Sequence, residues 1–225
     1  MLAGNASFDK PADLPQTIPL FPLMGALLLP QGQMPLNIFE PRYVAMIDAA
    51  LKGDRIIGMI QPDYEVQGAV SAEVPPLRKV GCAGRIVAFQ ETGDGRYLVT
   101  LTGIARFDVV EELESVTPFR IASISAERFA DDFRPGHGEN QVDRDALIKT
   151  LDDYLTANDL EADWESIRGA GTEVLVNALS MMSPYGPAEK QMLLEAGDLK
   201  ARADALVALT EVHLARGGED GGRLQ

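Results

Sequence analysis

Cysteine occurs once in these 225 residues, tryptophan once and histidine twice. A single cysteine, Cys82, excludes an intrachain disulfide framework and a cysteine-built metal site. His137 and His213 lie far apart and have no cysteine partner, so the common zinc ligand sets are missing, and neither a metal nor a cofactor is expected. Cations are also scarce. Lys and Arg number 20 against 34 Asp and Glu, a formal charge of −14, and the lysines are scattered at 10, 52, 79, 149, 190 and 200. A field of that sign repels phosphate backbones and anionic bilayers, so the expectation is no nucleic acid and no membrane surface. An unbroken apolar run is missing too. Asp9, Lys10 and Asp13 precede the most hydrophobic stretch, and prolines interrupt it, which argues against a signal peptide or a spanning helix. The lone cysteine and the absence of such segments fit a cytoplasmic protein.

What is present is an apolar segment full of proline, IPLFPLMGALLLPQGQMPLNIFEPRY (18–43), with Pro19, Pro22, Pro30, Pro35 and Pro41. Proline fixes φ near −65° and biases the preceding residue toward extended backbone. Two short strands are therefore predicted near 18–24 and 33–39, with a turn at Pro30 and Gly32. Pro41 suits the first position of a helix, where a missing N–H costs nothing. Tyr43, Met46, Ile47, Ala50 and Leu51 follow at helical spacing until Gly53. RIIGMI (55–60) reads as a buried strand, and 61–80 as an irregular connection. From 81 the hydrophobic period is two, with TGDGR (92–96) as a hairpin turn and a last strand within 119–129. A polar linker is predicted at 130–141. Helices follow at 143–157, at 172–182, from Pro187, and from Asp198 as N-cap. Strands first and helices afterwards predict an α+β fold.

No catalytic constellation emerges. There is no G-x-x-x-x-G-K-[ST] loop, and GAGTEV (169–174) reads as a break between helices and not as a dinucleotide fingerprint. Glu111, Glu112 and Glu114 read as a solvated bend. Ser180 and Ser183 have no base that the sequence places beside them, and Lys190 is near only in sequence.

Three segments resemble a known family. IPLFPLMGALLLPQGQMPLNIFEPRYVAMIDAAL is similar to the opening of the N-terminal substrate-binding domain of the ATP-dependent Lon proteases, in the form that stands alone in bacteria. VGCAGRIVAFQETGDGRYLVTLTGIARFDVVEEL resembles that domain's central hairpin, and AEKQMLLEAGDLKARADALVAL its helical end. The resemblance covers about residues 14–214. It implies a PUA-like, β-rich pseudo-barrel over 14–129 and a C-terminal helical bundle over 142–216. A disordered arm is expected at 1–13 and a flexible tail at 217–225. It also implies recognition of unfolded or damaged protein without catalysis, since the ATPase and Ser–Lys peptidase motifs of the full proteases are not found in these residues. Ile38, Phe39 and Val44 are read as core. Met24, Met34, Arg42 and Tyr43 are read as the surface that meets the client, because methionine is flexible and polarizable. A PUA-like small-ligand or RNA binder is the alternative, since fold does not settle function.

Overall fold

The computed structural model describes residues 1–66, 68 and 74–220, with side chains through 216. The described residues form eight strands and six α-helices, five of the helices following the last strand: β1 (Leu2–Ala3), β2 (Ala6–Ser7), β3 (Thr17–Pro22), β4 (Gln33–Ile38), α1 (Pro41–Leu51), β5 (Ile56–Pro62), β6 (Leu77–Glu91), β7 (Tyr97–Leu113), β8 (Arg120–Ser125), α2 (Arg144–Ala157), α3 (Trp164–Gly169), α4 (Thr172–Met182), α5 (Pro187–Glu195) and α6 (Leu199–Asp220). The strand-to-helix order is the α+β class that the sequence predicts.

The strands close on themselves. The order is β4-β7-β6-β5-β3-β8, and β8 pairs back to β7. β7 is long enough to serve two partners on one edge. Its first half holds β4 (Leu36↔Val99) and its second half holds β8 (Val109↔Ile124), while β6 pairs with it from Tyr97 to Asp108. Among the described residues the only parallel pair is β3–β5, joined through β4 and α1. Closure removes most of the unpaired edge that an open sheet would present. β4 remains an edge strand, and Pro35 at its centre has no N–H to offer another strand.

Phe107 fills the barrel, fully buried beside Ile18, Leu20 and Ile104. It lies so close to β5 and β6 that a Cβ at Gly58 or Gly81 would come within 2.8 or 2.5 Å of its ring. Residues 101–107 are buried without alternation, because this part of β7 is covered on both sides. Leu27, Leu28 and Leu29 cross its outer face, with the Leu29 carbonyl lying against Gly103. A second apolar cluster runs from Phe21, Met46 and Ile47 to Val176, Leu193 and Leu206, so barrel and bundle share one core.

Helix punctuation follows the sequence closely. Pro41 and Pro187 sit in first turns. Asp198 Oδ1 accepts from the Ala201 N–H (2.7 Å) at the start of α6. Ala170 and Gly171 separate α3 from α4.

Some expectations need correction. The arm at 1–13 is ordered, because its apolar side chains find places on the barrel. Met1, Ala3 and Phe8 are buried, β1 pairs with β2, and the terminal ammonium donates to the Phe8 carbonyl (2.5 Å). The linker at 130–141 is partly core, since Asp132 and Phe133 are buried in a 3-10 segment, Glu127–Phe133. Phe39, read as core, is 61% exposed. Of the tail expected at 217–225, residues 217–220 continue α6, and 221–225 lie outside the described residues.

Candidate functional site

A groove of about 350 Å³ opens beside the N-terminus of α1. Its walls come from chain segments that proline holds extended: Pro22 at the end of β3, Pro62 at the end of β5, Pro75 before β6 and Pro118 before β8. Proline rings are rigid and lack N–H groups, so at four positions these walls offer apolar surface without a backbone donor. The buried rings of Tyr43 and Phe119 line the groove from below, and Met24, Tyr64 and Val74 stand at its rim, 60%, 41% and 64% exposed. The two ends of the β5–β6 connection, the first of which carries Tyr64, are tied to each other. The Asp63 N–H donates to the Pro76 carbonyl (2.7 Å), and Arg78 reaches Asp63 (3.5 Å) and Glu65 (2.9 Å).

Two arginines border the groove, and both are already engaged. Arg42 Nε donates to Glu40 Oε2 (2.9 Å), and its guanidinium lies 4.5 Å from the centre of the Tyr43 ring. Arg120 pairs with Glu112 and donates to the Pro75 carbonyl (2.7 Å). The local charge is therefore balanced. Tyr43 packs on Phe21, with 4.4 Å between ring centres, and its hydroxyl donates to the Pro22 carbonyl (3.4 Å). Burial raises its pKa, so it stays a neutral phenol.

Of the residues predicted to meet a client, Met24, Arg42 and Tyr43 converge on this groove, and Met34 does not. Met34 sits on β4 opposite Leu101 and packs partly against the core. Tyr64, Val74 and Phe119 were not found from sequence. Tyr64 lies in a segment read as irregular, and no local period marks that the ends of β3, β5 and β8 meet.

The other candidates do not assemble into chemistry. Ser180 and Ser183 donate to the carbonyls of Val176 (2.8 Å) and Leu179 (2.7 Å), and Lys190 donates to the Met181 carbonyl (3.4 Å). Glu112 is taken by Arg120, and His137 lies 3.6 Å from Asp131 at the surface. Cys82 is fully buried, which pushes its thiol pKa strongly upward and suppresses the reactive thiolate. Among the described residues no group of His, Cys, Asp and Glu is arranged to hold a metal ion, and no helix is long and apolar enough to cross a membrane.

Fold and site together define an α+β barrel-and-bundle module with an open, proline-walled groove. Its relatives are specific. The family model of the ATP-dependent protease La (LON) substrate-binding domain matches residues 17–211, and the chain belongs to that family. It is 27% identical over 209 residues to Lon protease 2 of Myxococcus xanthus, covering 88% of this chain and 24% of that protein. It is 31% identical over 199 residues to the Lon protease of Parabacteroides distasonis, covering 85% and 23%. The chain thus spans about a quarter of the length of these curated relatives. Among solved structures, the N-terminal domain of the Mycobacterium avium complex Lon protease superposes with a TM-score of 0.63 at 17% identity, covering 88% of this chain and 99% of that one. The Lon N-terminal domain protein from Xanthomonas campestris gives 0.58 at 22%, covering 85% and 97%. These bear out the α+β, barrel-plus-bundle fold.

Proposed function

We propose that this chain is a non-enzymatic binding module that takes up unfolded or damaged polypeptide in the proline-walled groove. The observation that carries the reading is the convergence of Met24, Tyr64 and Val74, all exposed, over the buried rings of Tyr43 and Phe119. An unfolded client exposes apolar side chains and unpaired N–H groups. The groove answers the first with a rim of adaptable side chains on rigid walls. Family membership supports the same reading, since the matched model is that of a substrate-binding domain. The engagement of Arg42 and Arg120 with Glu40 and Glu112 disfavours the alternative of an anionic ligand or RNA, which would have to displace both carboxylates.

Affinity for single segments should be weak, with Kd on the order of micromolar, about −8 kcal/mol. Titration of a reduced, permanently unfolded model protein against the wild type and a Met24→Ser/Val74→Ser variant tests this. Both residues are exposed, so the variant keeps its fold, which circular dichroism and melting verify. The expected loss is about 1–2 kcal/mol, from the apolar surface removed. Equal affinity of the two would reject the groove. No affinity of the wild type at high micromolar concentration would reject client binding itself.

A further inference from the structure

A cavity of about 540 Å³ lies where the N-terminal arm, the turn from α1 into β5, and β6 meet, and it shares no lining residue with the proline-walled groove. That volume lies in the range that takes small molecules. Phe8, Leu14 and Ile56, all three buried, give it an apolar floor. Four charged residues line the same cavity: Arg55, Arg85, Asp13 and Asp54.

Arg55 is placed there under strain. Its φ is 61°, in the left-handed region that glycine and asparagine adopt readily and a long side chain does not. The conformation is imposed from both sides. The Arg55 N–H donates to the Ala50 carbonyl in the last turn of α1 (3.0 Å), and its carbonyl accepts from the Ile86 N–H of β6 (2.7 Å). Gly53, two residues earlier in the same turn, does not take a positive φ. The strained position thus carries the arginine and the relaxed one the glycine. Strain of this kind clusters where a side chain has a task.

Arg85 is also held by backbone and not by a carboxylate. Its Nη1 donates to the Ala3 carbonyl (3.2 Å), and a Cβ at Gly4 would come within 2.8 Å of that nitrogen, so the arm is folded around the guanidinium. Among the described residues neither Arg55 nor Arg85 forms an ion pair, in a chain with 34 acidic residues to 20 basic. Asp13 is occupied with the arm, its Oδ2 accepting from the N–H groups of Asp9 (2.7 Å) and Lys10 (3.1 Å). Asp54 is exposed, and its side chain makes no hydrogen bond or ion pair among the described residues. The cavity therefore presents two unpaired guanidiniums and one unpaired carboxylate beside an apolar floor. The net charge of −14 opposes a ligand with surplus negative charge. A zwitterion has no surplus, and it offers a carboxylate for the arginine forks and an ammonium for the aspartate.

We infer that this cavity binds a free α-amino acid with an apolar side chain, its carboxylate on Arg55 and Arg85, its ammonium on Asp54 and its side chain against Phe8, Leu14 and Ile56. The inference stands independently of the proline-walled groove.

The test is titration of the whole isotope-labelled chain with L-leucine, followed by amide chemical shifts. The shifts should saturate and centre on Gly53 to Ile56 and on Arg85. Leucinamide lacks the carboxylate, isocaproate the ammonium and glycine the apolar side chain. Each should bind at least about tenfold more weakly than leucine. Arg55→Asn should lose leucine by at least about tenfold and yet melt no lower than the wild type, since asparagine tolerates the left-handed backbone. Asp54→Asn, altered at an exposed position, should lose leucine by a similar factor and hold isocaproate no more weakly than before. It decides the matter even where Arg55→Asn melts lower. Met24→Ser/Val74→Ser should bind leucine as the wild type does. Absence of a saturable shift at about 10 mM leucine, a Kd far weaker than millimolar, would overturn the proposal. So would binding of leucinamide or isocaproate as tight as that of leucine, unchanged leucine binding in Asp54→Asn, or loss of leucine in the Met24/Val74 variant.

Discussion

Arg106 and Asp132 form a bidentate ion pair with almost no exposure to solvent. Arg106 Nε lies 2.9 Å from Asp132 Oδ2, and Nη2 lies 2.7 Å from Oδ1. The Arg106 backbone N–H also donates to Oδ2 (2.9 Å), and Nη1 reaches the carbonyls of Leu194 (3.2 Å) and Ala196 (2.5 Å) at the end of α5. One guanidinium on the barrel thus joins the 3-10 segment and the bundle. Gln191 Nε2 to the Val80 carbonyl (3.2 Å) and Asn177 Nδ2 to the Pro30 carbonyl (3.0 Å) tie the same two parts together.

The first prediction follows from this pair. Asp132→Ala leaves a buried guanidinium without its carboxylate, and breaking a buried pair costs about 3–5 kcal/mol. Urea denaturation should show that loss as a lower midpoint. A double variant, Arg106→Met/Asp132→Leu, removes both charges and should be less destabilised than Asp132→Ala alone. Equal losses would show that packing and not charge sets the cost.

Glu173 gives a pH dependence of defined sign. It is buried, with Oε2 accepting from Gln31 Nε2 (2.5 Å) and from the Gly136 N–H (2.6 Å). Burial raises its pKa in spite of these bonds, and Asp132 and Glu139 add to the rise. The folded state therefore binds the proton more readily than the unfolded chain. The cost of the buried charge is present in full above the folded pKa. It falls away as the pH drops toward the unfolded value of about 4.3. Glu173→Gln should melt higher than the wild type at neutral pH, with the gap closing in mildly acidic buffer. A gap that widens with acid would refute the assignment.

Gly103 marks where a loop presses on a strand. A Cβ there would lie 2.1 Å from the Leu29 carbonyl oxygen, and Gly103 exchanges backbone hydrogen bonds with Gln31 (2.9 Å) and Gly32 (2.8 Å). Gly103→Ala should cost at least about 1–3 kcal/mol, because backbone must move. Gly169→Ala is the control. Nothing lies within 4 Å of its Cβ position at the end of α3, and stability there should change by no more than about 0.5 kcal/mol. Similar losses at both positions would contradict the packing.

Cys82 reports on opening. In the folded protein its thiol should react with a maleimide far more slowly than in denaturant, because the thiolate is suppressed and access is closed. Asp132→Ala should speed labelling in proportion to its lost stability. Labelling at the denatured rate in native buffer would place Cys82 outside the core.

Legibility from sequence tracks how local each cause is. Pro41, Pro187 and Asp198 act within one turn, and the elements they start lie where predicted. The TGDGR turn, with Gly93 and Gly95 at positive φ, likewise joins β6 to β7 as expected. Asp132 could not be read as core from a polar run, since its reason for burial is Arg106, a residue on a different element. Tyr43 carries a subtler lesson. It shares the helical spacing of Met46, Ile47 and Ala50, and all four are buried, so the stripe itself pointed to a floor residue. Met34 was placed by nearness in sequence to the bend. The pleat, which turns alternate residues to opposite faces, and the pairing with β7 set its actual surroundings.

Ring closure also sets a schedule. Thr17 and Ile18 at one edge of β3 pair with Ser123 and Ala122 of β8, so that edge stays bare until more than a hundred further residues have been made. At ordinary synthesis speeds of about 5–20 residues per second, the wait is on the order of 5–20 s. For that interval Leu20 and Phe21 lack most of the core that later buries them. While it is being made, the nascent protein is the very kind of ligand its finished form is proposed to hold, and one already emerged from the same message could be its first client.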